Sequence, residues 1–81
     1  MMATVTLLYF ASLREMAGVA SQAFETTAPD LRGLYAEVQA RHGFHWPMAS
    51  LRVAVDGEFA HWPDRLREGS EIAFIPPVSG G

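Results

Sequence analysis

One long amphipathic helix among short strand-like segments constrains the fold of this 81-residue chain more than any other feature. The pattern predicts a helix from about Pro29 to His42, which Gly43 ends. Arg41 and His42 in the last turn suit the helix dipole, and we interpret His42 as a C-terminal cap. The apolar residues follow the i, i+3, i+4, i+7 spacing that places them on one helix face, namely Leu31, Leu34, Tyr35 and Val38.

Two helix starts carry capping signals. Ser12 is followed three residues later by Glu15, which predicts a capping box at the start of a helix of about two turns. The start of the long helix is ambiguous. Thr27 with Asp30 also forms a capping box, yet Ala28 precedes a proline and therefore resists helical angles.

Strand-like segments flank the helices on both sides. These segments are rich in β-branched and aromatic residues or alternate in polarity, and they are residues 3–11, 20–27, 51–55, 58–62 and 71–75. Asp56 and Gly57 predict a hairpin turn between the third and fourth strands. Because the first helix is too short for a parallel crossover, we expect the first two strands to pair antiparallel.

The order ββαβββ predicts an α+β fold of the β-grasp (ubiquitin-like) type. One main helix would pack on one face of a mixed sheet of four to five strands. We expect a single domain over residues 1–81, with a flexible C-terminal tail over residues 76–81.

The sheet face opposite the helix lacks the polar side chains that an isolated sheet would show there. Alternation places Leu8 and Phe10 opposite the core-facing residues of the first strand, and both faces of the last strand are apolar at its C-terminal end. Either a loop such as FHWPMAS folds over this face, or the face is an exposed apolar patch that marks a partner site. We interpret Phe10, Phe59 and Ile75 as residues of that partner site.

Composition excludes several classes of function. The chain has no cysteine, which excludes disulfides, thiolate metal sites and a thiol nucleophile. All six basic residues are arginines scattered along the chain, so nucleic acid is not an expected partner. The N-terminal apolar run follows no basic segment and suits a strand, so we expect no membrane association.

No constellation of catalytic or metal-ligating residues stands out. His42 and His45 straddle a helix end, where shared metal coordination is not expected, and we predict no metal site. The carboxylates are spread over solvated positions without an obvious pair. Trp46 and Trp62 each precede a proline, and we interpret both as loop anchors. An enzyme that acts alone is therefore not expected.

The C-terminal sequence IPPVSGG, residues 75–81, is the segment that suggests chemistry. Pro76 and Pro77 cannot continue a strand ladder and favour an extended arm, and the last six residues would reach about 20 Å. Gly80 and Gly81 lack a Cβ, so they could thread a narrow channel and bring the terminal carboxylate to a buried site. A frayed end is the simpler alternative.

The segments EIAFIPPVSGG and YFASLREMAG resemble the two ends of the small-subunit family of molybdopterin synthase, which are ubiquitin-like sulfur carriers. The resemblance runs from the first strand to the last residue. The double proline with a terminal Gly-Gly is its most specific part, since Gly-Gly alone is shared with thiamine-pathway carriers and ubiquitin. Asp56 and Ser70 stand where the family more often has Asn and Asp, and both lie in turns.

The resemblance implies that an activating enzyme adenylates the Gly81 carboxylate with ATP and that a sulfur source converts it to a thiocarboxylate. Gly80 and Gly81 would form the reacting end inside the large synthase subunit, where sulfur passes to cyclic pyranopterin monophosphate. Two small subunits on a large-subunit dimer would form a heterotetramer in the cytoplasm, and this chain would bind no cofactor. The arm residues expected to contact the partner are Pro76, Pro77, Val78 and Ser79.

Composition fits this role. A terminal carboxyl group has an ordinary pKa of about 3.5, so it is ionised at pH 7 and needs activation before it can react. Without cysteine or lysine, the chain has no thiol to carry the sulfur and no side-chain amine to capture the activated end.

Three alternatives stay open. The first is a sulfur carrier for thiamine thiazole formation, tRNA thiolation or cysteine synthesis. The second is a ubiquitin-like modifier joined to target lysines through Gly81. The third is a plain β-grasp binding module whose tail is inert.

Overall fold

The computed structural model describes residues 2–77 of the chain. A 3₁₀ turn at Met48–Ser50 lies in the loop before the third strand. The helices and strands follow the predicted order, and they are β1 (Ala3–Tyr9), α1 (Ala11–Ala17), β2 (Ser21–Thr26), α2 (Leu31–His42), β3 (Arg52–Val55), β4 (Glu58–Ala60) and β5 (Glu71–Ile75).

Within residues 2–77, five strands form one mixed sheet in the order β2-β1-β5-β3-β4. β1 pairs antiparallel with β2, as expected from the short α1, and parallel with β5. β3 pairs antiparallel with both β5 and β4. The first strand and the fifth thus lie side by side near the centre of the sheet, and the predicted β-grasp fold is confirmed.

α2 packs on one face of this sheet through the predicted apolar stripe. Its Tyr35 ring meets the Phe74 ring of β5 edge to face, with centroids 5.1 Å apart. Trp62, in the connection before β5, stacks on Phe74 with ring centroids 6.1 Å apart, which confirms it as a loop anchor. The stripe and the inward-facing strand residues share one buried cluster that includes Val5, Leu7, Phe24, Leu31, Leu34, Val38, Val53 and Ile72.

The start of α2 differs from the capping box that the sequence suggests. Asp30 is itself the N-cap, and its Oδ1 accepts a hydrogen bond from the Gly33 N–H at 2.8 Å. The helix therefore begins at Leu31 rather than Pro29, and Thr27 does not cap it.

The predicted capping role of Ser12 is wrong. α1 begins directly after Phe10, which provides no side-chain cap, so Ser12 already lies inside the helix. Its Oγ instead accepts a hydrogen bond from Trp46 Nε1 at 3.0 Å. Since the main-chain oxygen of Trp46 also accepts from the Tyr35 hydroxyl at 2.6 Å, this tryptophan ties its loop to both helices and is confirmed as a loop anchor.

The predicted capping role of His42 is also wrong. Gly43 ends α2 in a left-handed conformation with φ 69°, and its N–H donates to the Gln39 carbonyl. The His42 side chain faces the sheet, where its Nε2 lies 3.0 Å from Gln22 Oε1. The Tyr9 hydroxyl donates to the same oxygen at 2.7 Å, and burial raises the pKa of Tyr9 to about 12 against the opposing effect of Arg41.

His42 gives the stability of the fold a dependence on pH. Burial, with a further contribution from the Arg41 charge, lowers the pKa of His42 below its ordinary value near 6.5. The unfolded chain therefore binds the proton at a higher pH than the folded chain, and the stability contribution is lost as pH falls from 6.5 through the folded pKa.

We expect the thermal midpoint of the wild-type chain to fall between pH 7 and pH 5 more steeply than that of the His42→Gln variant. His45→Gln, a change at an exposed loop histidine, is the matched control and should follow the wild-type curve. Parallel curves for wild type and His42→Gln, measured by circular dichroism, would contradict this assignment.

The hairpin between β3 and β4 has the predicted turn. Asp56 and Gly57 both have positive φ angles, 51° and 87°, which is the conformation that suits a two-residue hairpin. Asp56 also has a second contact, because its Oδ1 accepts a hydrogen bond from the Glu71 N–H at 2.9 Å. The turn is thus fixed to the first residue of β5.

Candidate functional site

A row of small and apolar side chains crosses the sheet face opposite α2. The register pairs Leu8 of β1 with Ala73 of β5, Ala73 with Ala54 of β3, and Ala54 with Phe59 of β4. Because neighbouring residues in each strand face the core, alternation places all four side chains on the uncovered face. The short β4 therefore brings Phe59 into line with the two central strands.

Phe10 and Ile75 continue this surface at the end of the sheet where β5 stops. Both line one depression of about 290 Å³ together with the row described above. Phe59 and Phe10 expose 68% and 48% of their surfaces, so these two aromatic rings are presented to solvent. We call this surface the apolar patch and define it by Leu8, Phe10, Ala54, Phe59, Ala73 and Ile75.

The structure brings together the three sequence-predicted residues Phe10, Phe59 and Ile75. The alternative that the FHWPMAS loop covers this face is wrong, because Phe10 and Phe59 stay exposed and no residue of that loop lines the depression. The sequence did not predict Ala54 and Ala73 as part of this surface, because small residues do not mark a binding surface unless the strand register is known.

A second hollow of about 560 Å³ adjoins the apolar patch at the base of the C-terminal arm. We call it the arm-base groove. Trp46 forms one wall, and its hydrogen bond to Ser12 fixes the orientation of the indole. Pro76 is buried and Pro77 is exposed, so the structure anchors the first arm residue before the chain leaves the sheet. The lining residues are Phe10, Ala11, Ser12, Trp46, Ile75, Pro76 and Pro77.

Ala11 links the patch to the groove through an unusual backbone. Its φ angle is 49°, in the left-handed region that costs a residue with a Cβ on the order of 1 kcal/mol. This conformation turns the chain from β1 into α1 within one residue. The sharp turn leaves Phe10 outside the core, where it borders both hollows.

Within the described part of the chain, the apolar patch and the arm-base groove are the candidate binding surfaces. Among residues 2–77, no three His, Cys, Asp or Glu side chains lie close enough to hold a metal ion. In the same range, no helix is long and apolar enough to cross a membrane. The four remaining predicted site residues, Val78, Ser79, Gly80 and Gly81, lie outside the described residues.

Comparison with known families decides the wider assignment. The family model described as "ThiS family" matches residues 7–81, which is nearly the whole chain. The chain belongs to the ThiS family. Within it, the chain is 37% identical to a molybdopterin synthase sulfur carrier subunit of Chlamydomonas reinhardtii, over 95% of this chain and 98% of the relative. It is 35% identical to the Homo sapiens protein of the same description, over 95% and 93% of the two chains. The predicted family membership is confirmed.

Solved structures show the same fold. A putative molybdopterin converting factor subunit 1 from Pyrococcus furiosus superposes with a TM-score of 0.77 at 27% identity, covering 94% of this chain and 99% of the other. Small archaeal modifier protein 1 from Methanosarcina acetivorans gives 0.81 at 22% identity, over 100% and 99% of the chains, a likeness of fold alone. A Helicobacter pylori structure holds subunits 1 and 2 of the molybdopterin-converting factor in complex. It matches this ThiS-family chain with a TM-score of 0.64 at 25% identity, over 96% and 99% of the chains.

Proposed function

We propose that this chain is the sulfur-carrying subunit of a molybdopterin synthase. The observation that carries the proposal is the apolar patch at the root of an arm that ends in Gly80 and Gly81. Two exposed aromatic rings on an otherwise small domain suit a partner surface, because such rings are costly to leave in water. The similarity to named sulfur carrier subunits supports the same role.

The chemistry of the proposal takes place at the Gly81 carboxylate. An activating enzyme joins this carboxylate to the AMP part of ATP and releases pyrophosphate, which turns an unreactive anion into an acyl adenylate with AMP as the next leaving group. A sulfur donor then displaces AMP and leaves a thiocarboxylate. The sulfur passes to cyclic pyranopterin monophosphate in the large subunit, and Gly80 gives the terminal carbon room in a narrow channel.

The apolar patch gives the partner a docking surface beside the arm. Phe10, Phe59 and Ile75 lie beside the strand from which the arm departs, so a partner that covers them also receives the arm. The complex of subunits 1 and 2 from Helicobacter pylori supports a large subunit as that partner. We further propose that Pro76, Pro77, Val78 and Ser79 contact the channel and that two copies of this chain bind a large-subunit dimer.

We also propose that this chain binds no cofactor of its own and that the activating enzyme uses the ATP. We propose that the carrier acts in the cytoplasm, where the ATP that the activating enzyme needs is available.

An intact-mass measurement tests the proposal. After incubation with the cognate activating enzyme, ATP and a sulfur donor, the chain should gain the mass difference between sulfur and oxygen, located in its C-terminal peptide. The matched control without ATP should keep its mass. Sulfur found elsewhere in the chain, or an unchanged mass after activation, would refute the carrier role and leave a binding module.

A further inference from the structure

Arg52 places a positive charge directly on the apolar patch. Its guanidinium carbon lies 5.1 Å from the centre of the Phe59 ring, within the range of a cation–π contact. Both side chains are exposed. The ring therefore holds the guanidinium over the patch surface instead of leaving it free in solvent.

This charge lies at the end of the patch from which the arm departs. The register pairs Arg52 with Ile75, the last residue of β5. Glu71 also borders the patch, but it lies four residues earlier in β5, about 13 Å away by the rise of a strand. That separation exceeds the screening length of about 8 Å at physiological salt, so the two charges act on a partner independently.

A neighbouring hollow strengthens the positive character of this end. It has a volume of about 450 Å³, and Arg32, Arg52 and His61 line it beside Phe59. Among the described residues 2–77, no Asp or Glu lines this hollow. Two arginines, Arg32 and Arg52, thus line this hollow beside Phe59 in a chain whose net charge is −3.

We propose that this end of the apolar patch binds a carboxylate of the large subunit, with the Arg52 guanidinium as its partner. The inference rests on the proposed function and adds the chemistry that the large subunit must present beside the channel that receives the arm. A planar guanidinium offers two parallel N–H donors that match a carboxylate. Covering the patch removes water from Arg52, and a buried charge without a counter-charge would oppose binding.

The arrangement also gives the complex one orientation. A partner with its acidic group at the arm end aligns the channel with the arm, whereas the reversed orientation would bring that acidic group against Glu71. Like charges placed together disfavour wrong arrangements more strongly than matched charges strengthen the right one. Arg52 is therefore a specificity-determining residue and not a reacting one.

The test measures the dissociation constant for the cognate large subunit at several salt concentrations. Arg52→Gln should weaken binding about tenfold at low salt and flatten the salt dependence, because one charge pair is lost. Arg52→Lys should recover part of the salt dependence and only part of the affinity, since the charge remains without the planar fork.

Arg41→Gln is the matched control. Arg41 also lies over a phenylalanine ring, 4.8 Å from the centroid of Phe24, but that ring is buried in the core on the helix side of the sheet. The control loses the same charge and the same type of contact away from the apolar patch, and its affinity and salt dependence should equal those of the wild type.

Two results would overturn the inference, and they differ. If the wild type binds the large subunit while Arg52→Gln binds equally well with an unchanged salt slope, the carboxylate is absent and the proposed function stands. If the wild type itself does not bind at any salt concentration, the proposed function fails and the inference fails with it.

Discussion

A chain extended by one residue beyond Gly81 is expected to remain folded and to lose sulfur transfer. The extension moves the reactive carbon by about one residue, 3.3–3.6 Å along an extended chain. Because a misplacement of about 1 Å can already cost a hundredfold in rate, the transfer rate should fall below detection. Deletion of Gly81 should also abolish transfer, because it leaves the chain one residue too short. The transfer rate is measured by single-turnover transfer of labelled sulfur to the pterin substrate.

The fold should be unaffected by either change. The buried cluster consists of residues from Val5 to Phe74, so the extension and the deletion lie beyond the packed core. Wild-type, extended and shortened chains should therefore unfold at nearly the same temperature. A chain with one extra residue that donates sulfur at the normal rate would show that the terminal carboxylate is not the carrier.

Ile75→Asp and Phe10→Asp are expected to weaken binding to the large subunit while leaving the free chain folded. A charge forced into a desolvated contact costs on the order of 2 kcal/mol or more, which corresponds to about thirtyfold in the dissociation constant. Ile75 is partly exposed and Phe10 is 48% exposed in the free chain, so neither change opens a cavity in the core. Isothermal titration with the large subunit measures the effect.

Val19→Asp provides the matched control for these two variants. Val19 is 43% exposed, close to the exposure of Phe10, but it lines a different hollow, beside α1 and the turn that follows it. Binding by this variant should equal that of the wild type. Loss of the folded circular-dichroism spectrum in Ile75→Asp and Phe10→Asp would instead assign both residues to the core.

The parts of the fold that depend on local pattern could be predicted from the sequence. The stripe of α2 is buried as its spacing indicates, and Gly43 ends the helix where expected. The Asp56–Gly57 turn has the positive φ angles that these residue types favour. In each case the determining interaction lies within a few residues, so a single sequence contains it.

The parts of the fold that depend on contacts between residues far apart in the chain could not be predicted from the sequence. Ser12 and Glu15 have the spacing of a capping box, but the hydroxyl is used by Trp46, which is 34 residues away. The contact of Arg52 with Phe59 exists because β4 folds back on β3 in one particular register. No pattern around Arg52 indicates this, since an exposed arginine in a strand ordinarily faces water.

Because β1 pairs in parallel with β5, the strand that leads into the arm is in place only when the first and last strands of the domain have come together. The arm follows directly from β5, and β5 is hydrogen-bonded on both sides, to β1 and to β3. A chain that stops before residue 71 leaves the sheet split in two and has neither a complete patch nor an arm. If the proposed activating enzyme must contact the apolar patch as well as the arm, it would reject incomplete or unfolded chains without a separate checking step, because the patch forms only when β5 is paired with both β1 and β3.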